Sequence, residues 1–272
     1  MLDVHEVDEI VAAVKAIAPS FGAINLEDIG APKCFEIENR LKEELDIPIM
    51  HDDQHGTAVV VLAGLINSMK LVGKKLNRCT IAIVGAGAAG TAIAKLLNLY
   101  APEAQIVMVD SRGAISENRT DLNDEKRQLL EFTNNQNVDG SLEDVVEDAD
   151  VFIGVSRAGL LSKEMVASMA NDPVIFALAN PDPEIMPDDA KEAGAAVVAT
   201  GRSDFPNQVN NAVAFPGIFR GALDNKVSAI TDDHKIAAAE AIAKLIEEPS
   251  ADEVIPNVFE DSLVDVVAKV IT

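Results

Sequence analysis

The chain has 272 residues, 22 of them basic and 45 acidic, for a net charge of −23. A field of that sign repels phosphate backbones and anionic membranes, which argues against nucleic-acid and membrane partners, and it repels small anionic substrates unless a bound divalent cation reverses the sign locally. Hydrophobic residues make up 48%, enough for a sizeable core, and two cysteines, Cys34 and Cys79, are too few for a disulfide framework, so a reducing, cytoplasmic setting is expected.

The opening MLDVHEVDEI lacks the basic-then-apolar layout of a signal peptide, and no apolar run reaches ~18 residues without a charge. Val4, Val7, Ile10, Val11, Val14 and Ile17 recur at helical spacing and predict a helix over 4–17, stopped by Pro19. An apolar stretch at 21–26, a second helix at 34–45 and a strand at 47–50 follow. The almost wholly apolar run 57–71 predicts a helix buried on most sides.

From residue 80 the rhythm changes. Strands are predicted at 80–84, 105–109, 151–153, 174–177 and 196–199, separated by helices at 88–99, 124–133, 163–170 and 187–193. Short β-branched strands of nearly continuous hydrophobicity are covered on both faces, and their alternation with helices predicts an α/β fold with a parallel, doubly wound sheet. Residues 112–139 are polar and irregular and read as an exposed connection. After Pro216 helices return at 217–223, 234–246 and 258–270. The expected plan is a Rossmann-type domain at 76–225, flanked by a partial metal- and substrate-binding segment at 1–75 and C-terminal helices at 226–272 that pack together.

Gly85-Ala86-Gly87-Ala88-Ala89-Gly90 follows the strand at 80–84 directly and opens the next helix. The first glycine permits a tight turn, the second lets the backbone approach a pyrophosphate, and the third lets helix and strand pack closely. The helix N-terminus adds N–H donors and partial positive charge. Asp110 ends the next strand, 20 residues beyond Gly90, where a carboxylate meets the adenosine ribose hydroxyls. That carboxylate disfavours a 2′-phosphate while Arg112 could accommodate one, so NAD is the expected cofactor and NADP stays open.

Two acidic pairs, Glu27-Asp28 and Asp52-Asp53, each follow a short apolar strand. Carboxylates converging there repel one another unless a cation sits between them, and hard oxygen ligands select Mg²⁺ or Mn²⁺. In a chain this acidic, the same pairs also read as ordinary surface charge.

Asn25-Leu26-Glu27-Asp28, followed by His51-Asp52-Asp53-Gln54-His55-Gly56-Thr57-Ala58, resembles the metal-binding segments of malic enzymes. The resemblance continues in order through Gly85–Gly90, Gly154-Val155-Ser156, Leu178-Ala179-Asn180-Pro181 and Asn210-Asn211-Ala212-Val213-Ala214-Phe215-Pro216-Gly217, covering essentially the whole chain. It implies that Glu27, Asp28 and Asp53 ligate a divalent metal and that Asp52 lies beside the reacting centre. It further implies that Thr57 and Ser156 border the cofactor and that Asn180 and Asn211 hold substrate, although Asn-Pro-Asp-Pro is also turn chemistry in its own right. The implied activity is oxidative decarboxylation of malate to pyruvate and CO₂ with reduction of NAD(P), malate, pyruvate and oxaloacetate being the small-molecule partners. The alternatives are an oxaloacetate decarboxylase or malolactic-type enzyme of the same family, or a non-catalytic NAD- and metal-binding subunit.

Malic enzymes resembling this chain draw a catalytic lysine and tyrosine from upstream of the Glu-Asp motif. Here 26 residues precede Glu27, and the one tyrosine, Tyr100, ends the first Rossmann helix. The resemblance therefore implies a small prokaryotic-type enzyme lacking the N-terminal domain and weak or inactive alone. Loss of that domain would uncover helices 4–17 and 57–71 and favour a homodimer through an exposed apolar patch. Arg157, Arg202 and Arg220 read as surface-paired, His51 and His55 as titratable neighbours rather than ligands, and both cysteines as core thiols.

Overall fold

The computed structural model describes residues 3–272. The chain opens with α1 (Val7–Ile17), β1 (Ile24–Leu26), α2 (Lys33–Glu44) and β2 (Ile49–His51). Strands β1 and β2 pair in parallel, with Ile24 opposite Ile49 and Leu26 opposite His51. Their apolar residues join Val11 and Val14 of α1 and Ile37 and Leu41 of α2 in a small separate core.

Helix α3 (Asp52–Val72) starts five residues earlier than its apolar run predicts, so Asp52 and Asp53 form its first turn. Carboxylates suit that position because the helix N-terminus carries partial positive charge. Gly73 closes the helix in the left-handed conformation, φ 68°. The helix is long and apolar enough to cross a membrane, yet from Ala58 to Leu65 every side chain is at most 2% exposed. The expectation that helix 57–71 loses its cover is therefore corrected: Leu71 is its only exposed large hydrophobic residue.

The second unit runs β3 (Thr80–Val84), α4 (Ala88–Tyr100), β4 (Gln105–Asp110), β5 (Gly113–Ala114), α5 (Asp124–Leu129), α6 (Leu142–Val146), β6 (Val151–Gly154), α7 (Lys163–Ser168), β7 (Val174–Ala177), α8 (Pro187–Glu192) and β8 (Val197–Thr200). These strands form one sheet in the order β5-β4-β3-β6-β7-β8, parallel except for β5. Alternate residues enter opposite cores. Ile81 and Ile83 face α3 and α4, whereas Ala82 and Val84 face α6, α7 and α8. The sheet is thus doubly wound, as its strand pattern predicts.

Residues 112–139 form the exposed connection that their polarity suggests only in part. Ile115 and Ser116 are fully buried, and the Asn134 amide donates to the carbonyls of Ile115 and Val138 at 2.9 and 2.8 Å. A polar side chain that satisfies buried backbone lets an irregular segment pack inside.

The C-terminal helices are α9 (Phe215–Asp224), α10 (Asp232–Lys244) and α11 (Leu263–Ala268), the last shorter at both ends than the apolar pattern predicts. Helix α10 lies along α3, where Asn67 donates to the carbonyls of Ala243 and Val254 at 3.0 and 3.1 Å.

Candidate active site

Because β1 and β2 are parallel, both end at the same edge, and the two acidic pairs emerge side by side. The Asp28 N–H donates to Asp53 Oδ2 at 2.9 Å, with Asp28 in the left-handed region at φ 59°. Glu27 and Asp28 are exposed and Asp53 is half-buried, whereas Asp52 is fully buried. Burial, reinforced by the nearby negative charges of Glu27 and Asp53, pushes the Asp52 carboxyl up to about 7. Asn211, just before α9, opposes that rise by donating from Nδ2 to Asp52 Oδ2 at 2.6 Å. The other oxygen, Oδ1, is buried without a partner. Gly56 makes this fit possible, since a Cβ there would overlap Oδ1 and sit 2.9 Å from Asn211 Cβ.

Among the described residues, no three carboxylate, imidazole or thiol groups stand as a closed metal-ligand set. The acids nevertheless suit a hard divalent cation in kind: an orphaned buried oxygen and a carboxyl raised by its acidic neighbours mark negative charge that lacks a counter-ion. His51 Nε2 pairs with the Ile29 carbonyl at 3.2 Å and lies 3.8 Å from Asp53 Oδ2. His55 hydrogen-bonds the buried Glu38 carboxylate at 2.9 Å, and Lys42 pairs with the same carboxylate at 2.8 Å. Sequence reading missed Glu38, because its partners lie on two different helices.

The Gly85–Gly90 turn sits at the C-terminal end of β3. Gly85 adopts φ 114°, and a Cβ on Gly90 would overlap the Gly85 carbonyl oxygen, so helix and strand pack as closely as the motif requires. Gly87 has open space above it. A cavity of about 560 Å³ begins at Ala86 and Gly87 and is lined across from them by Gln54, His55 and Ala58 of α3, so the first turn of α3 and the glycine turn border one space.

Asp110 ends β4, but its carboxylate is engaged. Arg119 pairs with it at 2.7 Å and Lys126 at 2.5 Å. Burial raises its carboxyl, and these two cations outweigh burial and hold it below the usual range. Arg112, the cation that sequence reading considered, pairs instead with Asp121 at 2.8 Å and is 70% exposed. No local pattern points to Arg119 and Lys126, because a folded-back loop brings the first to Asp110 and the short helix α5 the second.

Ser156 and Asn180 lie exposed just beyond β6 and β7. Thr57 is half-buried in the second turn of α3. Arg202 pairs with Asp204 at 2.6 Å and Arg220 with Asp224 at 2.5 Å, and Cys34 and Cys79 are buried free thiols, in line with the sequence reading.

Residues 54–272 match the NAD-binding domain of malic enzymes, and residues 3–42 match the malic enzyme N-terminal domain. A stretch of that N-terminal domain is therefore present. The chain is 59% identical to the bifunctional malic/malolactic enzyme of Bacillus subtilis, over 99% of this chain and 66% of the relative. It is 54% identical to the NAD-dependent malic enzyme of Geobacillus stearothermophilus, over 97% of this chain and 55% of that protein. The NAD-dependent malic enzyme of Thermotoga maritima superposes with a TM-score of 0.95 at 47% identity, covering 99% of this chain and 71% of that structure. The chain thus spans less than two thirds of the length of these curated relatives. Matches of this identity along almost its whole length, over a sheet and glycine turn of the same design, place the chain in the malic enzyme family.

Proposed function

We propose that this protein provides the metal- and NAD(P)-binding part of a malic enzyme, which converts malate to pyruvate and CO₂ with reduction of NAD(P). The observation that carries this reading is the fully buried Asp52, one of its oxygens without a partner, beside three further carboxylates, on a helix that borders the same cavity as the glycine turn. Residues 1–75 and 226–272 belong together in this reading, around the cofactor domain at 76–225. Its setting is the cytoplasm, and a homodimer is the expected assembly.

Glu27, Asp28 and Asp53 would hold Mg²⁺ or Mn²⁺. A cation held there would supply Lewis-acid polarisation of a substrate oxygen. The chain's own groups do the rest of what it offers. Asp52 holds or yields a proton near neutral pH, and Asn211 fixes that carboxyl through its amide. Asn180 and Asn211 present neutral amides to substrate without adding charge. Gly85 to Gly90, including Ala86, Ala88 and Ala89, cradle the pyrophosphate, bordered by Thr57 and Ser156. Asp110 meets the adenosine ribose; NAD is favoured, and Arg119 and Lys126 supply the positive charge that would admit NADP. Tyr100 takes no part, since α4 holds it roughly 20 Å from the glycine turn at 1.5 Å per residue.

The test is NADH formation from L-malate with Mn²⁺, alongside NAD binding by calorimetry and a Glu27→Gln/Asp53→Asn control. Cofactor binding with turnover weak or absent, and any turnover lost in the control, supports the reading; failure to bind NAD defeats it. The likeness to a bifunctional malic/malolactic enzyme favours one second reading, in which lactate accumulates from malate without net NADH.

A further inference from the structure

The loops after β6 and β7 meet through one side chain. Glu184 is fully buried, and its two carboxylate oxygens accept backbone N–H bonds from different loops, Oε1 from Ser156 at 2.9 Å and Oε2 from Ala179 at 3.1 Å. Its backbone continues the lacing: the Leu161 N–H donates to the Glu184 carbonyl at 3.0 Å, and the Gly159 N–H donates to the Pro183 carbonyl at 3.2 Å. Gly154 leaves room for the carboxylate, because a Cβ there would overlap Glu184 Cδ. Burial raises the Glu184 carboxyl, opposed by the peptide N–H groups of Ser156 and Ala179. A buried carboxylate whose charge is met by peptide N–H groups is costly to assemble and gains specificity in return, since neither loop can move without breaking a charge-assisted bond.

The position of this clamp gives it a use. In a doubly wound sheet the cofactor lies across the C-terminal ends of the strands, around the point where strand order reverses. Here that point lies between β3 and β6. The adenosine half falls on the β4 side, at Asp110, so the nicotinamide half falls over the loops after β6 and β7, those that carry Ser156 and Asn180. We propose that Glu184 is a positioning residue for the nicotinamide end of the cofactor, setting the spacing of the Ser156 and Ala179 peptide planes and, through the latter, the place of Asn180. The inference rests on the cofactor reading above and adds a residue that touches neither cofactor nor substrate.

A carboxylate is needed because both of its ends must accept. Glu184→Gln keeps the shape but turns one end into an NH₂ that faces a backbone N–H, donor against donor. The experiment compares ADP-ribose, which is the cofactor without its nicotinamide ring, with NADH, whose emission reports the surroundings of its dihydronicotinamide ring. The chain contains no tryptophan, so excitation of the ring is read directly. Both ligands are titrated into the unsubstituted chain and the Glu184→Gln variant.

The expected result is an ADP-ribose affinity within about twofold of the unsubstituted chain, with NADH affinity down about tenfold and the bound emission shifted back toward that of free NADH. Equal weakening of both ligands would reduce Glu184 to a general structural role and overturn the proposal, as would no change in either. An unsubstituted chain that binds neither ligand would overturn the cofactor reading itself, a result distinct from the others. If the glutamine variant does not fold, Glu184→Asp serves. It keeps the charge but is one methylene too short to reach both loops, and the same split between the two ligands is expected.

Discussion

The Asn211 amide donates to Asp52 Oδ2 at 2.6 Å across 159 residues of chain, fastening the segment that leads into α9 to the first turn of α3. It is the one hydrogen bond on a buried carboxylate whose other oxygen has none. The acid is therefore held where its proton is finely balanced.

Removing that balance has a signed consequence. Asp52 sits at about 7 in the folded chain against an ordinary value of 3.8. A raised acid favours the folded state when protonated, so its contribution is complete below pH 3.8 and is lost as pH rises through about 7. In metal-free protein, Asp52→Asn should leave stability unchanged at pH 4 and raise it at pH 8 by roughly 2–4 kcal/mol, from about three pKa units at 1.36 kcal/mol each. Denaturant unfolding at the two pH values measures this; equal effects at both would refute it. At pH 8, Mn²⁺ should raise the melting temperature of the unsubstituted chain and leave Glu27→Gln/Asp53→Asn unmoved.

The glycine turn separates packing from ligand approach. Gly90→Ala places a Cβ against the Gly85 carbonyl and should cost stability as well as cofactor binding. Gly87→Ala meets nothing within 4 Å, so the melting temperature should stay put while NAD affinity falls about tenfold or more, the Cβ standing where the pyrophosphate approaches. Thermal melts paired with calorimetry distinguish the two, and a Gly87→Ala chain that binds NAD normally would mean that the phosphates lie elsewhere.

How much of this was readable in the sequence depends on whether a pattern is local. The strands Thr80–Val84 and Val174–Ala177 match their predicted limits, because a strand covered on both faces is a short apolar run with polar ends. The two-residue β5 has no period to detect. The start of α3 was misplaced because hydrophobic periodicity begins only at its second turn, after an acidic first turn. Asp52 and Asp53 were legible through their motif, and so was Asp110 through its distance from Gly90. The groups that govern them were not. Arg119 lies on a loop and Lys126 on α5, both far from Asp110 in any local pattern; Asn211 stands out as a substrate residue, but its bond to Asp52 spans 159 residues; and Glu184 follows a turn sequence that gives no hint of burial.

The pair of cations on Asp110 makes a prediction about cofactor choice. Arg119 at 2.7 Å and Lys126 at 2.5 Å offset the charge that would repel a 2′-phosphate. Lys126→Ala should weaken 2′,5′-ADP about tenfold relative to 5′-AMP, the worth of one charge-assisted bond. Arg112→Ala should leave that ratio alone, since Arg112 is spent on Asp121. Competitive titration of the two nucleotides gives the ratio directly.

The cluster around Glu38 predicts how the chain fails in acid. Burial alone would raise the Glu38 carboxyl, but the hydrogen bond with His55 and the Lys42 ammonium prevail and bring it down to about 2 from 4.5. Burial meanwhile lowers the His55 imidazole. A depressed acid stabilises the folded chain above its unfolded value, so this contribution is intact above pH 4.5 and disappears as pH falls toward 2. Glu38 also accepts the His51 N–H at 3.0 Å, which ties the cluster to the strand that delivers Asp52. Glu38→Gln should therefore cost about 3 kcal/mol at pH 7, the scale of breaking a buried pair, and almost nothing at pH 2. Urea unfolding from pH 7 down to pH 2 would show the two stability curves converging below pH 4.5; curves that stay parallel would mean that Glu38 holds its proton equally well in the folded and the unfolded chain.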